Sequence, residues 1–337
     1  MAHALARDLD HVLAHTPGVW EALRGRRIFI TGGTGFVGTW LVESFVWANE
    51  RLNLNARALL LTRNPDRVRV SNAAVQVMKG DIRTFPYPEG EFAFVIHAAT
   101  EQRHHPGMFE LDLQATKYVL EFARTHGTTR LLFTSSGAVY GKQPSDLTHI
   151  PEEYAGAPFT VDLNSAYGQA KRASEFLCAM YAQQFGFSAV IARLFAFAGP
   201  HLPLDLNFAI GNFIRDVLAG RPVRIAGDGT PYRSYLYAAD LAIWLWSLLI
   251  RGGSARPYNV GSGDDLTIAS LARTVVDNTV PGARIEIARH PMPGEPPSRY
   301  VPSVERARTE LGLAPLIPLD EAIRRMYRWN RELATVP

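Results

Sequence analysis

Tyr167 and Lys171 stand four positions apart in Tyr167-Gly168-Gln169-Ala170-Lys171. On a helix that spacing puts both side chains on one face, one turn apart. A free phenol titrates near ~10, too high for a base at neutral pH. A neighbouring ammonium favours the phenolate and lowers that value. The pair therefore reads as a general acid/base acting on a hydroxyl or a carbonyl. Upstream, Thr134-Ser135-Ser136-Gly137-Ala138-Val139-Tyr140-Gly141 follows the apolar run Leu131-Leu132-Phe133. This places hydroxyls at the exit of a strand, where ligands of open α/β sheets bind. Ser135 and Ser136 are both candidates to hydrogen-bond the oxygen that reacts.

A second group of residues fits a dinucleotide. Thr31-Gly32-Gly33-Thr34-Gly35-Phe36-Val37-Gly38 lies between an apolar strand pattern, Arg27-Ile28-Phe29-Ile30, and a helical one, Thr39 to Phe45. Glycines there let the backbone turn tightly and approach a pyrophosphate. The helix N-terminus then offers free N–H groups and a positive dipole end. Gly32, Thr34, Gly35, Phe36, Val37 and Gly38 are thus assigned to a nicotinamide dinucleotide, NAD or NADP. The next strand ends Leu59-Leu60-Leu61-Thr62-Arg63-Asn64. It lacks the acidic residue that usually binds the ribose 2′-hydroxyl, and Arg63 could take a 2′-phosphate instead, which favours NADP.

The elements that must position these groups alternate along the chain. Strands are expected at Arg27 to Ile30, Ala56 to Thr62, Ala74 to Gly80, Phe92 to Ala98, Leu131 to Ser135 and Ser188 to Phe195. Helical patterns fall between several of them, including Leu111 to His126 and Ala166 to Phe185. Alternation of this kind implies an α/β fold, a Rossmann-type doubly wound parallel sheet. Residues 1–25 form an N-terminal helical extension with Leu5, Leu9, Val12 and Leu13 at helical spacing, for packing or a dimer contact. Residues 26–197 form the dinucleotide-binding domain. After Gly199-Pro200 prolines and glycines become dense. Residues 198–337 are expected to form a smaller, mainly substrate-binding domain, with part of 240–261 returning to the first.

Bulk properties exclude other classes. The chain has 337 residues with a net charge of +3, and its basic residues are scattered, so no nucleic-acid stripe exists. No apolar run reaches the ~20 residues needed to span a membrane. The longest, Leu241 to Ile250, reads as a buried helix. The N-terminus has Asp8, Asp10 and His11 where a signal peptide needs an apolar core. Cys178 is the only cysteine, so no internal disulfide forms. No Cys/His spacing suggests a metal, and His104 and His105 read as loop residues. A cytoplasmic enzyme fits these features.

From about residue 26 to about residue 325 the sequence resembles the extended short-chain dehydrogenase/reductase family, in its nucleotide-sugar epimerase and dehydratase branch. The glycine turn, the Ser136 region and the Tyr-x-x-x-Lys pair come in that family's order. The resemblance implies a nucleoside-diphosphate-sugar substrate and a homodimer packed through the helices at 111–126 and 166–185. It selects Ser136, four residues before Tyr140 of the Val-Tyr-Gly motif, as the third catalytic member beside Tyr167 and Lys171. It implies that Lys171 bonds the nicotinamide ribose, that Asp81 and Ile82 meet the adenine, and that Ala98, Ala99 and Thr100 line the cofactor. Arg233, in Gly227-Asp228-Gly229-Thr230-Pro231-Tyr232-Arg233, matches the arginine that grips the substrate diphosphate. Arg299 is a second candidate for that task. Asn207 and Asn212 are placed within reach of the sugar or diphosphate.

Departures from the pattern narrow the activity. Dehydratases of this branch carry Asp-Glu after the catalytic hydroxyl, and decarboxylases carry a Glu; this chain has Gly137-Ala138. Neither residue can act as acid or base, and both leave room for a sugar to turn. Asp112-Leu113-Gln114-Ala115-Thr116 replaces the usual Asn-x-x-Gly-Thr, and Ala196 replaces an Asn. The leading expectation is epimerisation through a transient 4-keto sugar. The alternative is NAD(P)H-dependent reduction of a 4-keto-6-deoxy sugar. A dehydratase, or an idle dinucleotide sensor, ranks below both.

Overall fold

A computed structural model describes residues 3–100, 105–206 and 208–335. Its first half alternates α1 (Ala6–Ala14), β1 (Arg27–Thr31), α2 (Phe36–Arg51), β2 (Arg57–Thr62), β3 (Val75–Lys79), β4 (Phe94–His97), α3 (Met108–Thr125), β5 (Arg130–Ser136), α4 (Ala166–Phe185) and β6 (Ser188–Leu194). Then come β7 (Phe197–Ala198), α5 (Ala209–Leu218), β8 (Val223–Ile225), β9 (Tyr232–Arg233), β10 (Leu236–Tyr237), α6 (Ala238–Arg251) and β11 (Pro257–Val260). The chain ends with β12 (Leu266–Thr267), α7 (Ile268–Thr279), β13 (Ile285–Ile287), β14 (Arg299–Tyr300), α8 (Glu305–Leu311) and α9 (Leu319–Thr335).

Seven strands form one sheet in the order β11-β6-β5-β4-β1-β2-β3, and every pair in it is parallel. The strands are apolar along most of their length because both faces are covered. Successive side chains go to opposite layers. Ile28, Ile30, Leu60, Ile96, Leu132 and Val190 join the core that includes α2 and α6. Phe29, Leu59, Leu61, Val95, Leu131, Phe133 and Ile191 join the core that includes α3 and α4. Strand order reverses between β1 and β4, so a crevice opens at their carboxyl ends. Gly32 and Ala98 directly follow those two strands.

β11 carries residues 257–260 back to the sheet edge beside β6. α6, apolar on every side, lies buried with Trp244 and Trp246 fully enclosed. Trp246 Nε1 donates to Ser44 Oγ of α2 at 2.8 Å. The small strands β12, β9 and β14 make a separate sheet that carries Arg233, Arg299 and Tyr300.

The N-terminal helix is a packing element. Leu5, Leu9 and Val12 are buried in the core shared with α2 and α6. His11 Nε2 lies 3.0 Å from Asp240 Oδ1, and Asp240 Oδ2 accepts the N–H groups of Leu316 and Ile317. Asp8 accepts the Tyr237 hydroxyl at 2.7 Å and pairs with Arg325 of α9. Among the described residues no helix is long and apolar enough to cross a membrane.

Candidate active site

The glycine turn is shaped by contacts that a side chain would destroy. Gly32 has φ +75°, a conformation few other residues adopt. A Cβ there would also fall 2.5 Å from the Ala98 carbonyl carbon and 2.6 Å from Ala99 N. A Cβ on Gly38 would fall 2.1 Å from the Gly32 oxygen. The turn is thus pressed against the β4 exit and against the first turn of α2, which starts at Phe36. At Gly32 and Gly38 no side chain fits, so backbone alone occupies this part of the turn at the α2 N-terminus, as close approach of a pyrophosphate needs. The glycine turn from Gly32 to Gly38 and the β4 exit at Ala98 and Ala99 therefore have the shape and chemistry to fit a nicotinamide dinucleotide.

His97 locks the two strand ends together. Its ring nitrogens meet Thr31 Oγ1 at 3.0 Å and Thr116 Oγ1 at 3.2 Å. Burial, and then the Lys171 charge, push its pKa down to about 3, so the ring stays neutral. Thr100 Oγ1 donates to Asp112 at 2.7 Å, which ties the β4 exit to α3.

After β3, Asp81 takes a two-pronged ion pair from Arg83, with oxygen–nitrogen distances of 2.8 and 2.6 Å. That hydrogen bonding, with Arg63 also nearby, holds its carboxyl at about 2, against the cost of burial. Ile82 packs partly buried on the aromatic core beside α3. Arg63 is exposed directly after β2, where Thr62 Oγ1 accepts Asn64 N–H at 3.1 Å.

Ser136, Tyr167 and Lys171 come together at the carboxyl end of β5. α4 brings both Tyr167 and Lys171, and Gly168 lets that helix close on the Ala138 carbonyl, 2.6 Å from where a Cβ would be. The Ser136 hydroxyl is near enough to the Tyr167 phenol to favour its ionised form. Tyr167 opens partly to the cleft, whereas Lys171 is buried and its Nζ donates to the Thr134 carbonyl at 3.2 Å.

Two expectations change here. Lys171 was expected to pull the phenol's pKa down; instead burial raises it, Ser136 works the other way, and the Asp112 charge adds to the rise. Lys171 Nζ lies 4.0 Å from the buried Asp112 carboxylate, which offsets its charge, and burial lowers the ammonium's own pKa. Ser135, the rival hydroxyl, belongs to another network. It donates to Glu175 at 2.5 Å, and Glu175 is paired with Arg193 at 2.7 Å.

The substrate candidates divide. Arg233 faces the site, 5.9 Å above the Tyr300 ring. Arg299 pairs with Asp265 at 2.6 Å and stacks 3.9 Å from the Tyr232 ring. Asn212 sits on α5, where its Oδ1 accepts from Arg215 at 3.3 Å. Asn207 and His104 lie outside the described residues. Gly137 and Ala138 form a short 3₁₀ turn after Ser136, and Ala138 N–H donates to Ser136 Oγ at 3.2 Å. The sequence reading missed Tyr300, whose hydroxyl stands 2.7 Å from where a Cβ on Gly137 would be.

Known proteins are similar to this chain in sequence and fold. UDP-glucuronic acid decarboxylase 6 of Arabidopsis thaliana is 27% identical over 92% of this chain and 90% of its own length. UDP-glucuronic acid decarboxylase 1 of Xenopus tropicalis is 25% identical over 91% of this chain. The solved UDP-glucose 4-epimerase of Thermotoga maritima matches with a TM-score of 0.77 over 91% of this chain and 99% of its own, at 20% identity. A structure of MoeE5 with UDP-glucose and NAD matches with a TM-score of 0.76 over 92% of this chain and 100% of its own, at 23% identity. Residues 28–261 match the NAD dependent epimerase/dehydratase family, which covers the glycine turn, Ser136, Tyr167, Lys171 and every strand of the large sheet. The chain belongs to that family, within the extended short-chain dehydrogenases/reductases.

Proposed function

We propose that this protein epimerises a nucleoside-diphosphate sugar through a transient 4-keto intermediate. The observation that carries the reading is the intact Ser136–Tyr167–Lys171 set beside Gly137 and Ala138, with no acid or base in the two positions after the serine. Its relatives by sequence include decarboxylases, but Ala138 offers no carboxylate for that chemistry. A bound nicotinamide would supply the reversible hydride acceptance that this set of residues needs.

The chain's own residues manage the proton and the pose. Tyr167 takes the proton of the sugar 4-hydroxyl and later returns one to the keto oxygen. Ser136 Oγ holds that same oxygen by a hydrogen bond. Lys171, buried and fixed on the Thr134 carbonyl, is assigned the hydrogen bond to the cofactor ribose. Gly137 and Ala138 leave the sugar space to turn its other face. Arg233 grips the diphosphate, for which a guanidinium fork is suited.

The test is conversion of UDP-glucose, UDP-galactose and their dTDP counterparts, followed by proton NMR without added cofactor. Inversion at C4 supports the reading. Loss of carbon dioxide or water from the sugar would replace it.

A second reading rests on Arg63. Its exposed guanidinium after β2 suits a 2′-phosphate, and an NADPH-dependent reductase of a 4-keto-6-deoxy sugar would use the same catalytic set. The protein is further inferred to dimerise through α3 and α4, where Phe109 and Phe176 are exposed at 39% and 71%. A molar mass of twice the chain by light scattering is expected.

A further inference from the structure

β1 and β4 lie side by side with Thr31 directly opposite His97. Residues in register on neighbouring parallel strands send their side chains to the same face. Both stand at the strand ends that open on the crevice, and both are buried. Thr31 leads straight into Gly32 of the dinucleotide turn. From the other side α3 brings Thr116, and α4 brings Ser174, three residues after Lys171.

Donors and acceptors can be counted here. Thr116 Oγ1 donates to the Asp112 carbonyl at 2.8 Å, which uses its one proton. It therefore accepts from its other two neighbours, His97 Nε2 at 3.2 Å and Ser174 Oγ at 3.0 Å. The ring proton of His97 is then on Nε2. A neutral imidazole has one N–H, so Nδ1 is an acceptor. Thr31 Oγ1, 3.0 Å away, donates to it and itself accepts the Ala99 N–H at 3.3 Å. The opposite tautomer would take the ring away from Thr31 as an acceptor. It would also make Thr116 give up the Asp112 carbonyl to meet Nε2. Burial and the Lys171 charge keep the ring neutral. The main chain adds a second tie. The His97 carbonyl accepts from Thr134 Oγ1 at 3.2 Å, and the Thr134 carbonyl accepts from Lys171 Nζ at 3.2 Å.

We propose that His97 is a positioning residue: with its proton on Nε2, it joins Thr31 beside the dinucleotide turn to Thr116 and Ser174 beside the catalytic helix, and so sets the bound cofactor against Lys171. The ring proton stays in place, and no bond is made or broken at this residue. A buried polar network in which every member is satisfied is rigid and holds one geometry. Such a network can carry a displacement of α3 to the glycine turn, although Thr116 is no part of that turn. The role concerns the cofactor alone, so it does not rest on the epimerase reading.

Long-range 1H–15N correlation spectra of the holoenzyme, labelled in histidine, test the tautomer. The His97 ring, assigned by its absence in His97→Gln and by its shift in Thr31→Val, is expected as the neutral Nε2–H form. It should stay so from about pH 5 to 8. A ring protonated on Nδ1, or on both nitrogens, overturns the proposal. Exchange of bound NAD against excess isotopically labelled NAD tests the positioning. Thr31→Val cuts the ring from the turn, and Thr116→Val cuts it from α3 while leaving the turn untouched. Valine keeps the shape of threonine, so both variants should fold, and their melting temperatures check this. Each should speed NAD release about fivefold, the worth of one hydrogen bond. The double variant should be little faster than either, because one cut already breaks the tie. A Thr116→Val protein that melts earlier but releases NAD at the wild-type rate would make the network a mere brace and overturn the proposal. Losses that multiply in the double variant would overturn it as well. A wild-type protein that turns over no nucleotide sugar would sink the epimerase reading alone, and the spectra and exchange rates would still decide on His97.

Discussion

The Lys171 ammonium and the Asp112 carboxylate lie 4.0 Å apart, and both side chains are closed off from solvent. Asp112 stands on α3 where the resembled family usually has Asn, so this counter-charge is a property of the present chain. The same carboxylate raises the pKa of both Tyr167 and Lys171.

Asp112→Asn removes a negative neighbour from two groups at once. The Tyr167 phenolate becomes easier to form and the Lys171 ammonium easier to lose. Both limbs of the kcat–pH profile should therefore move to lower pH. An unmoved profile, or a shift to higher pH, would contradict the assignment. The pair also has a structural side. Lys171→Met strands a buried charge, which typically costs about 3–5 kcal/mol. Lys171→Met with Asp112→Asn should regain most of that stability in urea unfolding while activity stays lost.

Ser135 and Ser136 should separate cleanly. Ser135→Ala leaves the buried Glu175 short of a donor. A cost of about 1–3 kcal/mol is expected, with activity near wild type at a temperature where the protein is folded. Ser136→Ala should do the reverse. It should lower kcat by roughly 10²-fold or more, the range of a lost proton-handling group, and leave stability almost unchanged. Equal activity losses in both variants would undo the distinction.

The glycine turn predicts a cofactor phenotype. Gly38→Ala places a methyl 2.1 Å from the Gly32 oxygen, so backbone must shift at the α2 N-terminus. The purified variant should carry much less dinucleotide than wild type and melt at lower temperature. Wild-type dinucleotide content would show that this turn does not hold the phosphates.

The N-terminal helix should be needed for stability and not for chemistry. Asp8→Ala leaves the Tyr237 hydroxyl without its acceptor and Arg325 with Glu321 as its remaining carboxylate. A loss of about 3 kcal/mol or more in unfolding free energy is expected, with kcat unchanged in the folded protein. A variant as stable as wild type would make α1 a loosely held appendage.

The large sheet was legible because its signals are local. Apolar runs such as Leu59–Leu61 and Leu131–Phe133 follow from burial on both faces, and Gly32 marks a turn through its own dihedral angle. Tyr167 and Lys171 are one helical turn apart, so their meeting needs no knowledge of the fold. The pairing of Arg299 with Asp265 and its stacking on Tyr232 were not legible, because they exist only once three two-residue strands are side by side. Tyr300 was missed for the same reason. Its neighbour Gly137 could be seen as permissive, but not which side chain would take the space. The Asp112–Lys171 pairing joins two helices across the sheet face, and spacing alone does not predict it. The apolar stripe of α1 was readable, whereas its buried ties to α6 and α9 were not.

The identity and amount of nicotinamide released by denaturing freshly purified protein, read by mass, tests the central claim most directly. A sugar epimerase that recycles its cofactor in place should hold NAD at close to one per chain. An empty site that fills with NADPH in preference to NAD would contradict the account, make Arg63 a 2′-phosphate ligand, and turn the search to 4-keto sugars.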